Sequence, residues 1–281
     1  FYALAIDAAE PLPVDARVIV ISLEDNQRRV IETGYRRGPT LGHIDSAIRA
    51  LLSHAERAER RRSQRQQAAP RLQFPYSYRL HQRELVATVG EALTSNRPLV
   101  LSAPTGLGKT VSALLPAMRF ALGEGAQVVF VTAKTTQRAL VASTVHDIVL
   151  ASDLEPSERP KVLVLRSKEQ MCPPGHLRCH PDQCAHLANY AERRDACGVV
   201  TRCLTEDVLS SDRVYAHAVA ATLCPYELSM DLAAEVDVIV GDYNHLFNVR
   251  TQPSGLRDAD RRRVVIVDEA HNLFDRARGY H

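Results

Sequence analysis

Between Ser102 and Thr110 the sequence reads SAPTGLGKT, which sets two glycines, a lysine and a threonine within five positions. Small residues at that spacing let successive backbone N–H groups face a phosphate. A helix starting at the lysine adds the partial positive charge of its N-terminus. The string fits G-x-x-x-x-G-K-[ST] except that Ala103 stands at the first glycine position. As a phosphate loop it comprises Ala103, Pro104, Thr105, Gly106, Leu107, Gly108, Lys109 and Thr110. Lys109 is then assigned to the β- and γ-phosphate oxygens of ATP, and Thr110 to Mg²⁺. A second string, VVIVDEAH (264–271), ends a β-branched run in two carboxylates and a histidine. Asp268 is placed to hold Mg²⁺ through water, and Glu269 to orient the attacking water as general base. A metal–triphosphate site needs both halves, and both are here.

The cysteines are the third chemical feature. All six lie between Cys172 and Cys224, with none in the flanking 171 and 57 residues. Cys172, Cys179, Cys184 and Cys224 are separated by six, four and 39 residues, so their thiolates could converge on one soft metal centre. A two-residue gap of the kind usual in structural zinc sites is missing. The spacing leaves three readings open: an iron–sulfur cluster, a zinc ion with His176, His180 or His186 as a further ligand, and no metal at all. Cys197 and Cys203 are read as packed or free thiols.

These groups need a scaffold. The runs PLVLSA (98–103), QVVFVT (127–132), KVLVL (161–165), VDVIVGD (236–242) and RRVVIVD (262–268) are short, continuous and rich in Val and Ile. Such runs suit parallel strands buried on both faces, and the helical segments between the first three argue for a doubly wound α/β sheet. The alternation lapses between 167 and 232, the stretch holding every cysteine, which reads as an inserted subdomain. Before residue 70, a helix over 1–9 and paired strands at 17–24 and 27–35, turning at Glu24-Asp25-Asn26, precede a helix over 43–69. From His54 to Arg83 there are eight Arg and two Glu, read as a solvated linker helix or a contact to phosphate backbone. Pro70 ends that helix and places a domain boundary near residue 70.

Composition sets outer bounds. The chain has 281 residues, 45% hydrophobic and 24% charged, with a net charge of +2. That is ordinary globular composition, which excludes a largely disordered or collagen-like chain. No apolar run reaches ~18 residues, so no membrane partner is expected. Phe1 is followed by no signal-peptide pattern, so the expected compartment is the cytoplasm, beside the nucleoid.

SAPTGLGKT and the D-E-A-H string resemble motifs I and II of superfamily 2 helicases, in which Ala often replaces the first glycine. Cysteines between motifs Ia and II, the last in a Cys-Pro-Tyr context, resemble the iron–sulfur helicases of the XPD/DinG family. CPYELSMDLA, VDVIVGDYNHLF and VDEAHNLFDRAR are similar to its bacterial DinG-like branch. The resemblance covers about residues 72–281. It implies a RecA-like parallel sheet with an inserted iron–sulfur subdomain, and the paired strands and helices read before residue 70 add a short α+β N-terminal segment. It also implies 5′ to 3′ movement on single-stranded DNA or a DNA fork by a monomer. Carried over by position, Cys172, Cys179, Cys184 and Cys224 hold a [4Fe-4S] cluster. Arg79 and Gln82 read adenine, Lys134, Thr135 and Thr136 contact the nucleic-acid backbone, and His271 couples the nucleotide to the nucleic-acid face.

The expected domains are 1–69, the tail of an upstream PD-(D/E)XK nuclease-like domain with a basic linker helix; 70–166, the first part of the RecA-like lobe; 167–232, the insertion; and 233–281, the return to the lobe. Ten residues follow His271. A second lobe, whose arginine fingers are worth roughly 10³-fold or more in rate, would lie outside them. The chain alone is therefore expected to bind nucleotide weakly, hydrolyse it slowly and separate no strands. Two other classes compete: a zinc-stapled DNA-binding module with a nucleotide-sensing loop, and a nuclease regulatory fragment.

Overall fold

The computed structural model describes residues 16–22, 25–33, 36–104, 106–173, 175, 179–248, 251–257 and 261–274. The helix read over 1–9, Glu24, Thr105 and His176 lie outside these residues. The chain divides into two compact units, Phe1–Arg60 and Arg61–His281. In the first, β1 (Ala16–Ile21) and β2 (Arg28–Thr33) form an antiparallel hairpin with Ala16 opposite Thr33. Asn26 turns the chain at φ 54°, a left-handed conformation that asparagine tolerates. The helix α1 (Arg37–Ala68) begins in this unit and ends in the second, where Pro70 falls in a 3₁₀ turn.

The second unit continues with α2 (Gln82–Thr94), α3 (Lys109–Glu124), β3 (Gln127–Val131), α4 (Thr135–Leu150) and β4 (Val162–Val164). The cysteine-bearing stretch folds as α5 (Lys168–Met171), α6 (Tyr190–Cys197), α7 (Val199–Cys203), β5 (Val208–Leu209), α8 (Ser211–Ala220) and α9 (Pro225–Leu232). The chain then returns through β6 (Val238–Gly241), α10 (Tyr243–Phe247), α11 (Ser254–Arg257) and β7 (Arg263–Val267). The five strands pair in the order β5-β4-β6-β3-β7, all parallel.

Side chains alternate across that sheet, which decides what must cover each face. Val128, Phe130, Val162, Val238 and Val240 point into a core closed by α3 and α4. Val129, Val131, Leu163 and Ile239 point the other way, into a second core with Val199, Cys203, Leu209, Val214, Leu223 and Leu228. The insertion is thus the second cover of the sheet, and its Val208–Leu209 joins the sheet as an edge strand. A stretch too poor in apolar residues for a large core of its own borrows one from the strands. Fully burying one such Leu or Phe contributes about 1.5–3 kcal/mol, so this face is a large part of the stability.

One expected strand is absent. Residues 97–104 form neither helix nor ladder, and Val100 is 96% exposed. β7 pairs with β3 on one flank. Its other flank faces a cavity of about 1070 Å³, which Pro98–Ala103 lines together with Arg263–Val267. A short apolar run without a partner ladder has little to hold strand geometry.

Part of the basic run at the end of α1 is tied down, while Arg57, Arg60 and Arg62 are exposed. Arg65, 5% exposed, donates from Nε to Asp237 Oδ2 at 2.9 Å and from Nη1 to the Ser157 carbonyl at 2.7 Å. Arg61 pairs with Glu235, and Arg71 with Glu158. These arginines fasten the helix end to the N-terminal ends of β4 and β6, opposite the strand ends that lead into the nucleotide loops.

Candidate nucleotide site and cysteine cluster

The phosphate loop is braced from below by the start of α2. Arg79 Nη1 donates to the Gly106 carbonyl, and Gln82 Nε2 to the Leu107 carbonyl at 3.0 Å. Gln82 Oε1 in turn accepts from the Arg79 backbone N–H at 3.0 Å. In a trans peptide the N–H points away from the carbonyl. Holding those two carbonyls toward α2 therefore turns the Leu107 and Gly108 N–H groups to the opposite side. Gly108 has φ +80°, which favours glycine, and a Cβ there would sit 2.4 Å from Gln82 Nε2 and push that amide off its bond to the loop. Arg79 and Gln82, which the resemblance assigns to adenine, also brace the loop itself.

Lys109 opens α3, and its Nζ donates to the Ala103 carbonyl at 3.0 Å, folding the ammonium over its own loop. Thr110 Oγ1 accepts from Gln137 Nε2 at 3.3 Å. Across the same cavity β7 delivers Asp268 and Glu269. The Asp268 N–H closes the last sheet bond, to the Val131 carbonyl at 2.9 Å, and Thr132 Oγ1 donates to its Oδ2 at 3.2 Å. Glu269 adopts φ 52°, which is strained for a residue with a Cβ. Its Oε2 lies 3.5 Å from His271 Nδ1. Ser102, Ala103, Lys109, Thr110, Asp268, Glu269 and His271 all line the one cavity of about 1070 Å³. Lysine, hydroxyl and two carboxylates facing one space can hold a metal–triphosphate and position a water against it.

Lys134, Thr135 and Thr136 are exposed at the start of α4, one strand away. Thr135 Oγ1 already accepts from Arg138 Nη2 at 2.9 Å, while Arg138 Nη1 reaches the Leu165 carbonyl at 2.9 Å. Sequence reasoning singled out these three and passed over Thr132 and Gln137, which flank them and bond Asp268 and Thr110. Both lie at the ends of the string TAKTTQ (132–137), which was the available signal.

All six cysteines carry free thiols. Cys184 and Cys224 lie close enough for their charges to interact, and burial pushes the Cys224 thiol up. Cys172 caps α5, whose Lys168 sits 5.4 Å over the Tyr226 ring, two residues from Cys224. Among the described residues no three potential ligands are gathered to metal-binding distance, so the structure does not bring the four named thiols to one centre. Four unpaired thiols on loops and caps are a donor set that suits a soft metal centre. Cys203 differs: it is fully buried, and burial pushes its thiol up to about 11. Cys197 is exposed and bonds the Arg194 carbonyl at 3.4 Å.

The DEAD_2 family model matches residues 132–281. The chain belongs to the DEAD_2 family. Among similar proteins, human regulator of telomere elongation helicase 1 is 30% identical over 131 residues, covering 42% of this chain and 10% of its own length. A probable ATP-dependent helicase of Methanocaldococcus jannaschii is 26% identical over 207 residues, covering 71% of this chain and 29% of its own. A solved structure titled XPD helicase aligns at TM-score 0.49 and 21% identity, over 69% of this chain and 33% of that one. The DEAD_2 chain spans between a tenth and three tenths of these two helicases. Among its described residues no helix is long and apolar enough to cross a membrane.

Proposed function

We propose that this chain is the nucleotide-holding lobe of an ATP-dependent DNA helicase of the XPD/DinG type, moving 5′ to 3′ on single-stranded DNA. The observation that carries the reading is the single cavity into which Lys109, Thr110, Asp268 and Glu269 all face. Lys109 leaves the Ala103 carbonyl for the β- and γ-phosphate oxygens, while the Leu107 and Gly108 N–H groups meet the phosphates between them. Thr110 and Asp268 would hold Mg²⁺, which when bound offsets charge on the phosphoryl oxygens. Glu269 orients the water and accepts its proton, and His271, 3.5 Å away, senses that carboxylate from the turn beyond. Lys134, Thr135 and Thr136 meet the DNA backbone at the head of α4. In this reading a second lobe, and the upstream nuclease-like domain of which residues 1–69 form the tail, belong to the same polypeptide in the cytoplasm.

Cys172, Cys179, Cys184 and Cys224 would hold a [4Fe-4S] cluster, which supplies a rigid cross-link for the insertion at residues 167–232. The names of the relatives and the family membership support the helicase class. A forked duplex with a 5′ single-stranded tail tests it. The full-length polypeptide is expected to displace the paired strand only with ATP and Mg²⁺, and Lys109→Ala to abolish displacement. Displacement that persists without nucleotide, or from a 3′ tail alone, would overturn the reading.

A further inference from the structure

Tyr243 is buried to 1% exposure, yet its hydroxyl does not end in the core. It lies 2.5 Å from the Asp268 carbonyl and 2.9 Å from the Glu269 carbonyl, so one proton is shared between the backbones of both acidic residues. The ring is fixed from its own side as well. Asp242 caps α10 by accepting from the Asn244 N–H at 2.9 Å, while His245 Nδ1 accepts from the Asp242 N–H at 3.2 Å. The sheet's own grip stops at the Asp268 N–H. Beyond it, the Glu269 carbonyl also accepts from the Asn272 N–H at 2.9 Å and its Nδ2 at 3.2 Å, but those bonds are internal to the turn. Tyr243 is what ties the turn to the element after β6. It does so at the residue held at φ 52°, where relaxation to an ordinary φ would swing the carboxylate away.

We propose that Tyr243 is a positioning residue for ATP hydrolysis: its hydroxyl holds the Asp268–Glu269 backbone so that Glu269 stays aimed at the water. This rests on the reading of the cavity as an ATPase site. A base displaced by a fraction of an ångström binds substrate as before but reacts more slowly. In the full-length polypeptide, Tyr243→Phe keeps the ring and loses the bond. It is expected to lower kcat about tenfold with KM for ATP within about twofold of wild type. In a Glu269→Gln background the same change should cost nothing further, because its route of action is already gone. Tyr243 replaced by 3-fluorotyrosine, which retains the hydroxyl, should turn over as wild type does.

An unchanged kcat in Tyr243→Phe would overturn the proposal. So would a second tenfold loss in the double variant, which is the mark of a general structural role. If Glu269→Gln itself left kcat intact, the ATPase reading would fall, and the proposal with it.

Discussion

Glu269→Gln should cut ATP turnover by roughly 10²–10⁴-fold, the contribution usual for a general base, while leaving nucleotide affinity within about twofold. The amide is nearly isosteric and keeps the side chain's bulk and hydrogen-bonding reach. It cannot accept the proton that the attacking water must release. Lys109, Thr110 and Asp268 are untouched by the change, and the Gly106 and Leu107 carbonyls remain braced by Arg79 and Gln82. Binding and chemistry should therefore separate cleanly. Fluorescent-nucleotide titration and steady-state hydrolysis on the full-length polypeptide with single-stranded DNA measure the two. Loss of binding in parallel with turnover would mean that Glu269 holds the metal or the phosphates instead of the water.

Cys224→Ser is expected to abolish metal binding, whereas Cys203→Ala should retain it. The wild type, purified without oxygen, should be brown and carry about four irons per chain, as a [4Fe-4S] cluster requires. Cys224 opens α9 beside Cys184, whereas Cys203 is sealed in the core as the last residue of α7. The consequence should extend beyond colour. α7, α8 and α9 cover one face of the parallel sheet, with Val199, Val214 and Leu228 against Val129, Val131 and Ile239. Loosening the insertion uncovers strands that need covers on both sides, so Tm should fall together with iron content. Metal analysis and a thermal melt decide it. Colourless wild-type protein with a single zinc would favour the zinc-stapled alternative.

Much of this was legible in sequence because it is local. β3, β4, β6 and β7 announce themselves as runs of valine and isoleucine, and α3 follows its loop as the glycines and lysine require. The features that sequence hid are those settled by distant partners. Pro98–Ala103 has strand composition, but strand geometry needs a neighbour, and the flank of β7 facing it is bare. Val208–Leu209 is too short to read as a strand, yet it completes the sheet edge because β4 lies beside it. Arg61, Arg65 and Arg71 sit in a charged, apolar-poor helix, and only the folded chain brings Glu235, Asp237 and Glu158 to them. Tyr243 looks like one more core aromatic; its hydroxyl acquires meaning from carbonyls 25 and 26 residues away.

The most direct measurement is a crystal structure of this chain with a non-hydrolysable ATP analogue and Mg²⁺. The γ-phosphate should lie against Lys109 Nζ, released from the Ala103 carbonyl, with the metal between Thr110 and Asp268 and Glu269 facing the γ-phosphate. An analogue seated anywhere other than this cavity, or a metal held away from Asp268, would contradict the ATPase assignment.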